Sequence, residues 1–171
     1  MANKRIFIAI NFNEGFKKEL LSIQKKIDTS FLDINPIKWT KKDNLHLTLL
    51  FVGSPNNLEN IFNKIQEIAK KYKPFSINFK EVNYSFNNKM VWVLGEKNKT
   101  LTSLSNDLGN KNFIPHITLG RISTFNFNKI NPEEIPQINN EILIDLKIRV
   151  NSIDIMHSNF KNYTLLKNFK L

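Results

Sequence analysis

The sequence contains no cysteine, which excludes disulfide bonds, thiol nucleophiles and cysteine metal ligands. It also has no run approaching the roughly 20 apolar residues that cross a bilayer. The start, with Lys4-Arg5 before a short alternating stretch, lacks the long apolar core of a signal peptide. These absences predict a soluble, cytoplasmic protein.

Acidic residues are few relative to basic ones, 15 against 25, and the formal net charge is +10 with histidine neutral. Such a charge favours a polyanionic partner, because lysine and arginine near phosphates release counterions. Biased codon usage in a chain rich in lysine, asparagine and isoleucine offers another explanation. The 171 residues fit a single domain spanning 1–171, with no linker long enough to separate two.

Histidine is also scarce, and two of the three histidines lie in the same four-residue pattern. His-Leu-Thr-Leu occupies 46–49 and His-Ile-Thr-Leu occupies 116–119, each within an apolar, strand-like run. A single buried histidine is usually a core residue bonded to a backbone carbonyl. The duplication makes that explanation improbable, so the two copies are predicted to form a site.

Strand geometry indicates what this site can do, because side chains at i and i+2 point to the same face. His46 and Thr48 then share one face, as do His116 and Thr118, while the intervening aliphatic residues face a core. At neutral pH one imidazole can accept a proton and the other can donate one. Threonine hydroxyls can donate hydrogen bonds to phosphoryl oxygens, where charge grows in a transition state.

With these two motifs and their flanks, the sequence resembles the two-histidine (2H) phosphoesterases. Its strongest likeness is to the RNA 2′,3′-cyclic phosphodiesterases, also called 2′-5′ RNA ligase-like proteins. The likeness spans nearly the whole chain and rests on 5–10, 38–39, 44–53, 91–95, 113–121, and Ser158 with Tyr163. The stretch between Leu108 and Phe113 departs from the family, because many relatives carry a longer basic insertion there.

The resemblance implies an α+β fold of two pseudo-symmetric lobes. Each lobe is an antiparallel sheet with helices packed outside, and the active site is the cleft between them. The implied reaction is hydrolysis of terminal 2′,3′-cyclic phosphates to 2′-phosphates, with reverse 2′-5′ RNA ligation as a secondary activity. The partners are RNA ends or nucleoside cyclic phosphates, and we expect a monomer that needs no metal or other cofactor.

The two motifs predict catalysis by His46 and His116, with Thr48 and Thr118 holding the phosphoryl oxygens. We first assign His116 as the base that deprotonates water and His46 as the acid that protonates the departing 3′-oxygen. The reverse assignment stays open.

Three further residues are predicted to contact substrate through the resemblance: Arg121, Phe12 and Tyr163. In the family an aromatic ring from the opening segment and this arginine can flank the nucleic-acid base. Stacking between a ring and a guanidinium tolerates many bases. Simple alternation puts Arg121 on the face opposite His116, unless Gly120 marks a bulge or the strand has ended. Phe12 and Tyr163 can equally be packing residues. His157 has no threonine at +2 and is not included.

Other classes of protein remain as alternatives. Paired histidines can bind zinc, although neither close histidine spacing nor a third ligand is visible. A basic RNA-binding module with idle motifs is a second alternative. Within the family, the substrate could instead be a 2′-5′ oligoadenylate, the 3′ end of a small RNA, or an ADP-ribose cyclic phosphate.

The remaining pattern predicts alternating strands and helices. Strands are expected at 5–12, 45–52, 75–83, 90–95, 115–122, 142–150, 152–158 and 163–169, with a hairpin turn at Asn87-Asn88. Helices are expected from an Asn13 cap to about Ile27, over the apolar stripe from Leu58 to Tyr72, and around Leu101–Leu108 with Gly109 as the stop. The segment 125–140 reads as a long connection.

Overall fold

The computed structural model describes residues 5–28, 37–85, 89–122, 144–159 and 161–171. Within these residues it contains nine strands and three α-helices. The strands are β1 Arg5–Asn11, β2 Ile37–Trp39, β3 His46–Gly53, β4 Phe75–Ser85, β5 Met90–Gly95, β6 His116–Ile122, β7 Leu146–Val150, β8 Ser152–Ser158 and β9 Tyr163–Lys170. The helices are α1 Glu14–Asp28, α2 Leu58–Ala69 and α3 Lys99–Leu108. The predicted α+β class is confirmed.

The strands form one antiparallel sheet in the order β7-β4-β5-β6-β3-β1-β8-β9, and β2 pairs with β6 beside that path. The order has an internal symmetry about the β3–β6 boundary. One half runs outward as β3-β1-β8-β9 and the other as β6-β5-β4-β7. These are the two predicted lobes, and their sheets are continuous through a single residue pair, Leu47 with Ile117.

Side-chain caps set the starts of the helices where the sequence places asparagine. The side-chain oxygen of Asn13 accepts from the Phe16 backbone N–H at 2.9 Å, at the start of α1. Asn57 and Asn98 cap α2 and α3 in the same way. Gly109 ends α3 with a φ of 104°, in the left-handed region that glycine adopts without strain.

The main core lies between the helices and one face of the sheet. Leu47, Leu49, Ile117 and Leu119 are all 0% exposed within it, which confirms the face predicted for the aliphatic residues of the two motifs. Burying these side chains contributes roughly 1.5–3 kcal/mol each. This burial anchors both motif strands and leaves the histidine and threonine side chains on the other face.

Strand β2 is the element that the sequence pattern missed, since three residues are too few to show alternation. Its backbone pairs Ile37, Lys38 and Trp39 with Ile122, Arg121 and Gly120. The predicted hairpin turn at Asn87-Asn88 and the predicted connection at 125–140 lie outside the described residues. Strand β7 begins at Leu146, later than predicted. No helix among the described residues is long and apolar enough to span a bilayer.

Close packing of β2 on β6 requires a glycine at position 120. A Cβ atom there would lie 2.5 Å from Cγ2 of Ile37 and 3.0 Å from Cε3 of Trp39. We therefore expect Gly120→Ala to lower the free energy of unfolding by about 1–3 kcal/mol, because overpacking forces neighbouring atoms to move. Urea unfolding followed by circular dichroism measures this change.

Gly15→Ala in α1 is the matched control. The nearest atom to a Cβ at that position is Oδ1 of Asn13 at 3.4 Å, an ordinary contact. Alanine is preferred over glycine in a helix by about 0.5–1 kcal/mol. This variant should be as stable as the wild type or more so, and an equal loss in both variants would contradict the packing argument.

Candidate active site

The two motif strands meet at the centre of the sheet. Because β3 and β6 run antiparallel and pair at Leu47 and Ile117, His46 lies beside Thr118 and Thr48 lies beside His116. The four polar side chains therefore share one face, opposite the main core. Both histidines are partly exposed. The structure thus brings together the four residues that the duplicated pattern selects.

His46 is held by two hydrogen bonds. Its Nδ1 lies 2.6 Å from the Asn44 carbonyl oxygen, and its Nε2 lies 2.8 Å from the Thr48 hydroxyl. A carbonyl oxygen only accepts, so Nδ1 carries the proton and donates it. In the neutral ring Nε2 is then the acceptor, and the Thr48 hydroxyl donates to it. The neutral tautomer that results presents a proton-accepting nitrogen to the cleft.

Aromatic packing makes the His46 site apolar. The ring centroid of Phe7 lies 5.0 Å away, and the Tyr163 ring meets the imidazole edge-on at 5.1 Å. Burial lowers the pKa of His46 to about 4, although the hydrogen bond to Asn44 works in the opposite direction. The positive charges of His116 and Lys17 lower it further. His46 is therefore neutral at pH 7.

His116 has a related but less enclosed environment. Its Nδ1 lies 2.8 Å from the Ile114 carbonyl oxygen, so the proton sits on Nδ1 in the neutral ring, as in His46. Trp92 stacks on the imidazole with ring centroids 4.1 Å apart. Burial lowers the pKa of His116, partly offset by the bond to Ile114. The Thr118 hydroxyl contacts the Met90 sulfur at 3.9 Å.

The low pKa of His46 predicts that acid destabilises the fold. Between pH 6.5 and about 4 the unfolded chain binds a proton at this position that the folded chain does not, so the free energy of unfolding falls as pH falls. The slope from one such group is at most about 1.4 kcal/mol per pH unit. His46→Ala should reduce this slope in urea titrations at about pH 6.5, 5.5 and 4.5, which lie within this range. A slope unchanged from that of the wild type would show that His46 titrates normally.

Arg121 lies on the histidine face because of a bulge. The pairing of β5 with β6 shifts between Val91–Gly120 and Trp92–Thr118, which leaves Leu119 as an extra residue. Leu119 and Gly120 are both buried, and Arg121 is exposed. An extra residue restarts the alternation, so Arg121 follows His116 and Thr118 on the same side. The sequence left two placements of Arg121 open, and the structure shows the one that a bulge produces.

The other motif strand carries the same irregularity. The pairing of β1 with β3 shifts between Ile8–Leu50 and Ala9–Thr48, leaving Leu49 as the extra residue. The position equivalent to Arg121 is then Phe51, which is 77% exposed and lies 6.2 Å from Phe7, centroid to centroid. Near its end, β3 therefore carries the exposed ring of Phe51, and β6 carries the exposed guanidinium of Arg121 at the equivalent position.

The structure separates the two aromatic residues predicted to contact substrate. Tyr163 lies beside His46 and Phe7 on the histidine face. Phe12 is only 6% exposed and packs against Phe16 and Phe79 in the main core. A ring enclosed in this way offers no face to a base, and this placement corrects the substrate contact predicted for Phe12.

Phe7 is the opening-segment aromatic that does reach the site, and sequence reasoning missed it. Alternation along β1 puts Phe7, Ala9 and Asn11 on one face, which was the available signal. Phe7 and Ala9 form a small apolar cluster with Met156 and Tyr163, separate from the main core. Trp92 belongs to one of the resembling segments, but its stacking on His116 depends on a register that no local pattern predicts.

His157, the third histidine, pairs with Ile6 across β1 and β8. Directly paired residues share a face, and Ile6 belongs to the main core, so His157 lies on the side away from the motif histidines. Across the described ranges, no group of three or more histidine, aspartate or glutamate side chains is arranged to hold a metal ion. Activity with a chelator present is the direct test of the metal alternative.

Comparison with known proteins agrees with this geometry. The family described as LigT like Phosphoesterase matches residues 10–92. An RNA 2′,3′-cyclic phosphodiesterase of Thermotoga maritima is 32% identical over 142 residues, which cover 71% of this chain and 71% of that protein.

Solved structures share the fold. A Thermus thermophilus protein superposes with a TM-score of 0.77 at 23% identity, covering 98% of this chain and 97% of its own. Escherichia coli LigT complexed with 3′-AMP superposes with a TM-score of 0.72 at 22% identity, covering 99% and 98%. On these matches and the paired His-x-Thr strands, the chain belongs to the LigT-like phosphoesterases of the 2H superfamily, in the RNA 2′,3′-cyclic phosphodiesterase family.

Proposed function

We propose that this protein hydrolyses the 2′,3′-cyclic phosphate at the end of an RNA chain to a 2′-phosphate, by acid–base catalysis between His46 and His116. The observation that carries the proposal is the crossed arrangement at the centre of the sheet. Each motif histidine lies beside the threonine of the other motif, on one open face. A single phosphoryl group placed there meets two imidazoles and two hydroxyls.

The relatives support the choice of substrate. The Thermotoga maritima relative is named an RNA 2′,3′-cyclic phosphodiesterase, and Escherichia coli LigT has been crystallised with 3′-AMP. The chain's net charge of +10 suits a polyanionic substrate. At the rim of the site, Arg121 can contact a phosphate or stack on a base, and the exposed ring of Phe51 offers a second stacking surface.

The threonines bind the phosphoryl group. As water adds to phosphorus, negative charge accumulates on the two non-bridging oxygens, and hydroxyl donors already in place stabilise it. Thr118 donates to one oxygen, and its weak contact with the Met90 sulfur is easily replaced. Thr48 donates to the other oxygen when its hydroxyl turns away from Nε2 of His46, which frees that nitrogen to accept a proton.

The differing surroundings of the histidines suggest their roles. His46 is the more enclosed ring and its pKa is about 4, so it is neutral and suited to accept a proton from water. We therefore propose His46 as the base and His116, as imidazolium, as the acid. This is the reverse of the first assignment made from the sequence. Burial lowers the pKa of His116 too, and the negative charge of a bound phosphodiester opposes that shift and favours protonation of His116.

In the proposed step every bond and proton is accounted for. The water oxygen forms a bond to phosphorus as its proton passes to Nε2 of His46. The bond between phosphorus and the 3′-oxygen breaks, and Nε2 of His116 donates its proton to that oxygen. The products are a 3′-hydroxyl and a 2′-phosphate. Proton exchange with solvent then restores both rings.

The test is a panel of substrates assayed with EDTA present. It contains the four nucleoside 2′,3′-cyclic phosphates, a short RNA ending in a cyclic phosphate, a 2′-5′ oligoadenylate and an ADP-ribose cyclic phosphate. Products are separated and identified as 2′- or 3′-phosphates by phosphorus NMR. We expect hydrolysis of the cyclic phosphates to 2′-phosphates with the chelator present.

Other outcomes decide between the alternatives. Activity that is lost in EDTA and restored by Zn²⁺ would favour a metalloenzyme. Salt-dependent RNA binding with no turnover of any substrate would favour a binding module. A 3′-phosphate product would overturn the direction of cleavage, and turnover confined to the oligoadenylate or the ADP-ribose compound would reassign the substrate within the family.

A further inference from the structure

A buried carboxylate lies on the histidine face and has no role in the proposed mechanism. Asp154 of β8 is 5% exposed and receives two short hydrogen bonds. Nδ2 of Asn11 donates to its Oδ2 at 2.6 Å, and Nδ2 of Asn168 donates to its Oδ1 at 2.6 Å. Both donors are neutral amides. A buried carboxylate is unfavourable, so its retention at this place calls for an explanation.

The first of these donors lies next to a catalytic histidine. Asn11 is the residue paired with His46 across β1 and β3, so their side chains are neighbours on one face. Strand β1 runs between β3 and β8, with His46 on one side of Asn11 and Asp154 on the other. Asn11 therefore lies between the buried carboxylate and His46 in the sheet.

The carboxylate fixes the orientation of that amide. Nδ2 of Asn11 is the atom that donates to the Asp154 side-chain oxygen, so the NH₂ group of Asn11 faces Asp154. Because the oxygen and nitrogen of an amide lie on opposite sides of its carbonyl carbon, Oδ1 is turned away from the Asp154 oxygen that Nδ2 contacts. Within the described part of the chain, no side-chain or backbone donor bonds to this oxygen, and the only other contact of the amide is from Nδ2 to the Met156 sulfur at 3.3 Å.

We propose that Oδ1 of Asn11 holds the attacking water, and that Asp154 is a positioning residue that acts through Asn11. The inference rests on the proposed function. A nucleophilic water presents a lone pair to phosphorus only if both of its protons are held elsewhere. Nε2 of His46 accepts one proton, and the oriented carbonyl of Asn11 accepts a hydrogen bond from the other. The second proton stays on the oxygen and remains in the product phosphate.

The test compares three single variants with the wild type on one nucleoside 2′,3′-cyclic phosphate. Asn11→Ala removes the carbonyl, and Asp154→Asn replaces the carboxylate by a group of equal size that tolerates either orientation of the Asn11 amide. We expect kcat to fall roughly 10- to 100-fold in Asn11→Ala, with KM little changed, because a misplaced nucleophile affects the reaction and not substrate binding. Asp154→Asn should give a smaller fall of the same kind.

Asn168→Ala is the matched control. It removes the other amide from the same carboxylate, at an exposed position on β9, and leaves Asn11 in place. This variant should keep wild-type kcat. The double variant Asn11→Ala with Asp154→Asn should be no slower than Asn11→Ala alone, because Asp154 acts only through the amide. Thermal unfolding of each variant identifies losses that come from misfolding.

The outcomes separate this inference from the function on which it rests. If the wild type turns over cyclic phosphates but Asn11→Ala keeps its kcat, the water-holding role is wrong and the proposed function survives. If Asn11→Ala and Asn168→Ala lose kcat equally, or the two losses in the double variant multiply, Asp154 supports the fold in general. If the wild type hydrolyses no cyclic phosphate, the proposed function itself fails.

Discussion

His46→Ala and His116→Ala are each expected to lower kcat for a nucleoside 2′,3′-cyclic phosphate by about 10²-fold or more. Each change removes one of the two proposed proton-transfer groups, and both rings lie on the sheet face opposite the main core. The variants should therefore fold, with thermal transitions close to that of the wild type near neutral pH. Steady-state rates by chromatography, together with circular dichroism, measure both properties.

His157→Ala is the control for the loss of an imidazole as such, because it lies on the other face of the sheet. It should retain wild-type kcat. The double variant His46→Ala with His116→Ala should be only slightly slower than either single variant. When two groups act as one unit, removing the first already removes most of the contribution of the second. Wild-type turnover in either single variant would contradict the assignment of the pair.

Thr48→Val and Thr118→Val carry the second large expected effect. Valine keeps the shape and the strand preference of threonine but donates no hydrogen bond, and removing one donor to a developing oxyanion lowers kcat by about 10²-fold. The two variants should differ in pH dependence. Of the two hydroxyls, that of Thr48 hydrogen-bonds a motif histidine and that of Thr118 contacts the Met90 sulfur, so we expect Thr48→Val alone to shift the pH profile.

Thr164→Val on β9 is the matched control, since Thr164 is exposed and pairs with His157 away from the motif strands. Its kcat and pH profile should equal those of the wild type. If both motif variants kept full kcat and changed only KM, the hydroxyls would stabilise the bound substrate and the transition state equally and would not accelerate the chemical step.

Much of the fold could be predicted from local patterns. The stripe from Leu58 and the alternation around each motif indicate helix and strand, because burial of one face sets the period. The Asn13 cap and the Gly109 stop mark helix ends that the structure confirms. Strand β2 could not be predicted, since its place depends on β6 and on the absence of a side chain at Gly120.

The face on which the four motif residues meet follows from the sequence, since i and i+2 alternation needs no tertiary information. The rim of the site does not. Arg121 and Phe51 reach it only through bulges at Leu119 and Leu49, and a bulge is a property of two paired strands. Phe12 and Phe7 are both phenylalanines of the opening segment, and alternation along this segment puts them on opposite faces, so this distinction could have been made from the sequence.

A crystal structure with a nucleoside 2′-phosphate bound tests the pairing of the histidines most directly. The proposed reaction predicts that the phosphate lies between β3 and β6, with phosphoryl oxygens about 3 Å from Nε2 of both His46 and His116 and from the hydroxyls of Thr48 and Thr118. A phosphate bound to one histidine alone, or bound elsewhere on the sheet, would contradict it.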